Sequence, residues 1–392
     1  MNLRLGPPLG LSELRGVERD LHLRLGKWDT QVGDTPVLSS QPLVFHRQEW
    51  SRLCAAAERL AAELCMEEQN VLATESLQSR IGIPKPLRPV LGRLREQSAR
   101  TMRALRFDFH PTSEGWRISE VNSDVPGGWG EAESLPALFQ RYYPDLVPSC
   151  SPLRAWGEAV ARLADGGCIA LLSAPGFLED QQVTLAFQRE LSRRAVRSVL
   201  LQNPAALRVR QPRISVLVRF YQIEWLCKLS RRTNWPTLLT SADFAVVNPA
   251  VSLISESKRF PLAFSKVAED SAWAEFAPES RDPREVSAND WDNWVLKAAY
   301  SNTGDQVYLC SELSKGSLER LLQAVRRDPL AWVAQRRFHT IPLDSVRGPV
   351  FPCVGVFVVN GRAAGAYVRL SRRQVTDGAA LEAPLMMDRI AQ

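Results

Sequence analysis

The chain has 392 residues, of which 45% are hydrophobic and 23% charged, with a formal net charge of +6 at pH 7. That composition is globular and long enough for two or three domains, which excludes a disordered or fibrous chain. No apolar run reaches the roughly 18 residues of a membrane span, no signal-type apolar core opens the chain, and the seven cysteines are scattered without a C-x-x-C. A membrane span, a disulfide scaffold and a zinc knuckle are therefore not expected, and the expected location is the cytoplasm.

Residues 1–45 carry Pro and Gly clusters and read as irregular. Trp50, Leu53, Ala57, Leu60 and Leu64 recur at helical spacing, which predicts an amphipathic helix. A second helix is predicted from Pro89 to Met102. Residues 105–109 and 116–121 predict two strands, with turn chemistry between them at His110–Gly115. The stretch Pro126-Gly127-Gly128-Trp129-Gly130 predicts irregular backbone that can approach a substrate closely. From Cys168 the pattern alternates: a strand at 168–174, a loop ending in the acidic pair Glu179-Asp180, a helix over 183–195, then strands at 196–201, 213–220 and 244–249. Such alternation predicts a βαβ unit and a small α/β domain. Strands at 294–299 and 306–310, a helix at 318–327 and a segment at 331–338 follow. Last comes a hairpin within 355–371, turning at Asn360-Gly361. The fold class is thus mixed, α+β with an α/β part, and the expected division is 1–160, 161–255 and 256–392.

The chemistry concentrates on Arg106, Asp108, Glu120 and Asn122. Residues two apart on a strand share a face, so Arg106 goes with Asp108 and Glu120 with Asn122. The two faces coincide only if paired residue numbers add to an even number. The expected register sets 106 opposite 120 and 108 opposite 118, with a five-residue loop from Pro111 to Gly115; a slip of one residue would separate the acids. Two carboxylates about 4 Å apart repel by roughly 4 kcal/mol at an effective dielectric of 20. A hard divalent cation relieves that conflict, and two carboxylates with an amide oxygen make a ligand set that magnesium favours. The plain alternative is a hairpin with solvated charges.

Only seven of the 49 basic residues are lysines. Lys297 lies inside an apolar strand, with Gly304 seven residues further on in a small polar loop, and Lys258 follows NPAVSLISES. Both suit a phosphate as point charges, and the loop's amides suit phosphate oxygens. The arginine pairs are dispersed and no run of five basic residues occurs, so nucleic acid is not an expected partner.

R-F-D-F followed by SEVNSDVPGG resembles the circularly permuted ATP-grasp ligases, and most closely the synthetase domain of glutathionylspermidine synthase. Asp108 and Glu120 stand twelve residues apart with Asn122 completing an E-x-N, as in that family. Leu178-Glu179-Asp180, Arg219 to Glu224-Trp225, Asn248-Pro249 with Ser257-Lys258, Lys297 with Gly304, Val333-Ala334-Gln335, and Gly365, Arg369 and Thr376 follow in the family's order. The resemblance covers roughly residues 45–380.

The resemblance implies an ATP-grasp-like fold and an ATP- and Mg²⁺-dependent ligase that joins a carboxylate to an amine through an acyl phosphate. It implies Asp108, Glu120 and Asn122 as Mg²⁺ ligands. Lys258, Lys297 and Gly304 would serve the phosphates, and Gln335 the adenine. Arg106 and Arg369 would act on the transferred phosphoryl group. Its partners would be a small-molecule or peptide carboxylate and an amine. Glu224, Asp124 and Glu131 are candidates to receive a polyamine. Ala298, Ser301 and Arg336 depart from the family's pattern. The competing expectation is a non-catalytic binding protein that keeps the same shape.

Overall fold

A computed structural model describes residues 2–27, 30–33, 35–95, 102–204, 213–264, 269–301, 304 and 306–389. Its centre is an antiparallel sheet running in the order Leu381–Ala383, Arg362–Ser371, Gly348–Val359, Ala104–Thr112, Gly115–Asn122, with Leu343–Ser345 added on Gly348–Val359. Strands near residue 110 and near residue 360 are therefore neighbours, so one sheet unites the first and last thirds of the chain.

Alternation along these strands creates two faces. Leu105, Phe107 and Phe109 join Val354, Val356 and Val358 in a core beneath the long helix Arg47–Ala73. The opposite face carries Arg106, Asp108, Gly355 and Phe357. Phe357 stacks on Trp129 at 4.0 Å, and Trp129 on Trp156 at 4.4 Å, so helices Trp129–Phe139 and Pro152–Ala164 close that side. Burying these rings supplies packing and apolar area together.

A parallel sheet, ordered Ala245–Val247, Ile214–Phe220, Cys168–Ser173, Ser198–Leu201, forms the small α/β part. Helix Leu178–Arg193 makes its crossover. A third, antiparallel sheet holds Ser280–Arg281, Trp332–Arg336, Trp294–Ala298 and Val307–Leu309. Among the described residues no helix is long and apolar enough to cross a membrane.

Several expectations need correction. The first 45 residues are not all irregular: Leu11–Asp20 is a helix, its first turn held by Glu13 on the Gly10 amide at 2.7 Å. Leu14 and Val17 carry its apolar stripe, which Leu21 continues just past the helix end, a short signal that the flanking prolines obscured. The predicted second helix is Arg88–Arg95; residues 96–101 lie outside the described residues, and Met102 is not helical. The glycine stretch is only half irregular, since Gly128 adopts φ +85° and the helix starts at Trp129. The Asn360-Gly361 hairpin stands, with φ of +48° and +80° at its two turn residues.

Candidate active site

The register of the first hairpin differs from expectation. Arg106 pairs with Asn122 and Asp108 with Glu120, while Thr112 pairs with Gly115. The loop is thus Ser113-Glu114 rather than five residues. A two-residue loop gives an odd sum of paired numbers and would split the acids. A bulge between Asp108 and Phe109 absorbs Ser119 and restores the even sum. The expected outcome, four polar residues on one face, is reached by another route.

Pairing across the sheet sets Glu120, Asp108, Gly355 and Tyr367 in one row and Asn122, Arg106, Phe357 and Gly365 in the next. Asp108 is fully buried. Arg106 donates to it through Nε at 2.8 Å and through its terminal nitrogen at 3.0 Å. Arg369 adds a third bond at 2.6 Å, and Asn122 Nδ2 lies 3.4 Å away. Burial pushes the Asp108 carboxyl up, but Arg106 and Arg369 outweigh it and hold the group well below the usual carboxylate range. Both guanidinium groups lie over the Tyr367 ring, at 5.5 and 5.6 Å from its centroid. Gly355 has to be glycine: a Cβ there would lie 2.8 Å from Arg106 Cδ and 2.9 Å from Asp108 Oδ1.

Glu120 is more open, with a side chain 24% exposed and 3.2 Å from Lys258 Nζ. Burial raises its pKa, Lys258 lowers it more than Asp108 raises it, and the net shift is downward. Lys258 also donates to the Ser301 carbonyl at 2.7 Å. Lys297 reaches across from the third sheet. It donates to the carbonyl of the bulged Ser119 at 2.9 Å and to Gln335 Oε1 at 2.5 Å. His110 holds the same serine by its hydroxyl at 3.0 Å. Burial lowers the Lys297 pKa to about 8. Gly304, at φ +73°, packs on Thr376; Asn302, Thr303 and Asp305 of its loop lie outside the described residues.

Four cations thus surround two carboxylates, a surplus that suits a polyanion. Two cavities meet here. One of about 530 Å³ is lined by Arg106, Asn122, Gly127, Asp180 and Arg369. One of about 30 Å³ is lined by Lys258, Lys297, Gln335, Phe260 and Trp273. Glu120 borders both.

For a divalent cation, the donor set fits in part: Glu120 and Asn122 line the larger cavity, whereas Asp108 is fully buried and lines neither. Among the described residues no three His, Cys, Asp or Glu side chains form a metal-holding group. The hairpin instead offers two carboxylates and an amide. Asp108 already serves two arginines, so Glu120 and Asn122 offer the more open oxygens.

The acids expected to receive an amine are rearranged. Asp124 pairs with buried Arg219, accepts from the Ile223 amide at 2.8 Å and from Ser252 Oγ at 3.0 Å, and does not line either cavity. Glu224 also lies off both cavities, while Glu131 is on the larger one. Asp180, a first-turn helix acid by sequence, lines that cavity with one buried oxygen lacking a hydrogen-bond partner. Burial raises its pKa to about 8, with Glu179 adding to the shift. Nothing local in the sequence separates Asp180 from an ordinary helix-start acid.

Residues 197–388 match the family model described as glutathionylspermidine synthase, preATP-grasp, a stretch just under half of the chain. Over those residues the chain is similar to the glutathionylspermidine synthase family, which its motifs resemble. Among solved structures it is similar to a glutathione synthetase like-effector from Globodera pallida in apoform, at 14% identity and a TM-score of 0.65, covering 96% of each chain. That likeness shows the fold alone. A putative gamma-glutamylcysteine synthetase from Methylobacillus flagellatus KT is similar at 9% identity and a TM-score of 0.40, over 82% of this chain and 84% of the other, too loosely to argue from. No curated protein matches.

Proposed function

We propose that the protein is an ATP- and Mg²⁺-dependent ligase of circularly permuted ATP-grasp type, which joins a carboxylate to an amine and releases ADP and phosphate. The observation that carries this reading is Glu120, standing opposite Asp108 and bordering both the lysine-lined cavity and the larger one. A phosphoryl group passing from nucleotide to acceptor would pass at that point.

In this reading the nucleotide enters on the side of Lys258, Lys297, Gly304 and Gln335. A cavity of about 30 Å³ is too small for a base, so it has to widen when the nucleotide binds. The acceptor carboxylate lies in the larger cavity beside Arg106 and Arg369. Its oxygen attacks the γ-phosphorus in line and ADP departs. The amine nitrogen then attacks the acyl carbon, phosphate leaves, and the amine's proton passes to Asp180, whose raised pKa suits a base near neutral pH. Mg²⁺, held by Asp108, Glu120 and Asn122, would neutralise phosphate charge. Arg106 and Arg369 fix Asp108 as an anion and steady charge on the transferred group. A cytoplasmic location and the three-part division 1–160, 161–255 and 256–392 belong to the same proposal.

The test is ADP release against a panel of amines with short acidic peptides and amino acids. Stimulation that requires both a carboxylate and an amine supports the reading. ATP hydrolysis that no pair stimulates, or none at all, contradicts it.

A further inference from the structure

The larger cavity contains an ammonium that belongs to the chain itself. Lys27, only 6% exposed, sets its Nζ 2.6 Å from Glu131 Oε1 and 3.1 Å from Glu382 Oε2. Tyr367 donates its hydroxyl to Glu382 Oε1 at 2.9 Å. All four residues line the cavity.

Lys27 is held there by backbone. Gly26, at φ +71°, turns the chain out of the preceding helical segment, and the Lys27 amide donates to Leu21 O at 3.1 Å. Further along, Ser39 N donates to Glu382 O at 2.8 Å and Glu382 N to Val37 O at 2.6 Å. The N-terminal segment is thus fastened to the very residue whose carboxylate its lysine meets. Of the other acids that line the cavity, Glu133 is engaged by Ser151 and by the Leu153 amide at 3.1 Å, while Glu120, Glu179, Asp180 and Asp377 lie on the same cavity apart from the Lys27 pair. A pair of carboxylates with a hydroxyl on a cavity wall is what a ligand's ammonium would seek. Here that demand is met from within.

We propose that Lys27 is a specificity-determining residue: it occupies the ammonium position between Glu131 and Glu382, so the cavity rejects polyamines and accepts an amine that carries no second cation. The inference rests on the reading of this cavity as the acceptor side, and it narrows the amine class. A polyamine would have to displace a lysine tethered by its own backbone, which enjoys a large effective concentration. Replacing Lys27 with an apolar residue takes the cation from Glu131 and from Glu382, whose carboxyl is pushed up to about 8 by burial with Glu131 adding to the shift, and an incoming ammonium then gains what Lys27 supplied.

The experiment is equilibrium dialysis of labelled spermidine against the full chain without nucleotide, so that it does not depend on ligase activity. The wild type should show no binding at about 1 mM. K27M should bind at least about tenfold more tightly, and K27M/E382Q should lose that gain. Spermidine binding by the wild type as tight as by K27M overturns the proposal, as does a folded K27M that gains nothing. Should K27M fail to fold, refolding is repeated with n-butylamine, the lysine side chain as a separate molecule. Recovery supports the assignment, and no recovery overturns it. Failure of the ligase reading would appear in ADP release, not here.

Discussion

Asp108 lies directly opposite Glu120, although the two-residue turn joining their strands has the wrong parity for it. The bulged Ser119 corrects the parity. Its displaced carbonyl then becomes the hydrogen-bond partner of Lys297, 2.9 Å away. One extra residue therefore does two things: it brings the acids to one face and ties the third sheet to the central one.

Gly355 separates the two charged strands, and its lack of a side chain is a requirement. Gly355→Ala should push Arg106 off Asp108, at a cost of about 1–3 kcal/mol in urea denaturation. It should also abolish any rise in melting temperature with Mg·ATP. An Ala variant that matches the wild type in both would show that the row has slack.

Asp108 and Glu120 should respond differently to neutralisation. Asp108→Asn leaves two buried guanidinium groups short of an anion, and the expected loss is about 3–5 kcal/mol. Glu120 is partly exposed and meets one lysine, so Glu120→Gln should change stability by less than about 1 kcal/mol while ADP release disappears. Denaturation curves beside turnover assays read both.

Lys297 gives the site a pH dependence. Its value of about 8 lies below the ordinary 10.5, so the folded protein binds fewer protons than the unfolded chain in between. Stability should rise with pH across that window, because the cost of burying the ammonium is relieved. Nucleotide affinity should move the other way, weakening as pH passes about 8 and the ammonium is lost. Lys297→Arg should flatten the affinity profile between pH 7 and 9. A wild-type profile that is already flat would remove Lys297 from phosphate binding.

Asp124 serves the architecture. Asp124→Asn weakens its pairing with buried Arg219 and the seat of the Ile223 amide, and should cost about 3–5 kcal/mol. The KM for the amine, measured on the folded fraction, should not change. A selective rise in KM would return Asp124 to the substrate.

Much of the site was legible because its signals are local. R-F-D-F and S-E-V-N each set two residues on one face, and Asn360-Gly361 announced its turn. What sequence could not show depends on long-range placement. The parity of the turn and the bulge are settled by strand pairing, not by either strand alone. Asp180 and Asp124 are both acids next to structured elements; only the packed molecule leaves one with a spare oxygen on the cavity and locks the other onto Arg219. Lys27 lies in a stretch whose helical turns the prolines masked, more than 350 residues before Glu382, and no spacing rule joins them.

Calorimetric titration of ATP into the wild type and into Glu120→Gln, each with and without Mg²⁺, addresses the hairpin most directly. The wild type should bind ATP far more tightly with the ion than without it, and the variant should lose that difference while staying folded. Equal dependence on the ion in both proteins, or no ATP binding by the wild type, would contradict a nucleotide site built on Asp108, Glu120 and Asn122.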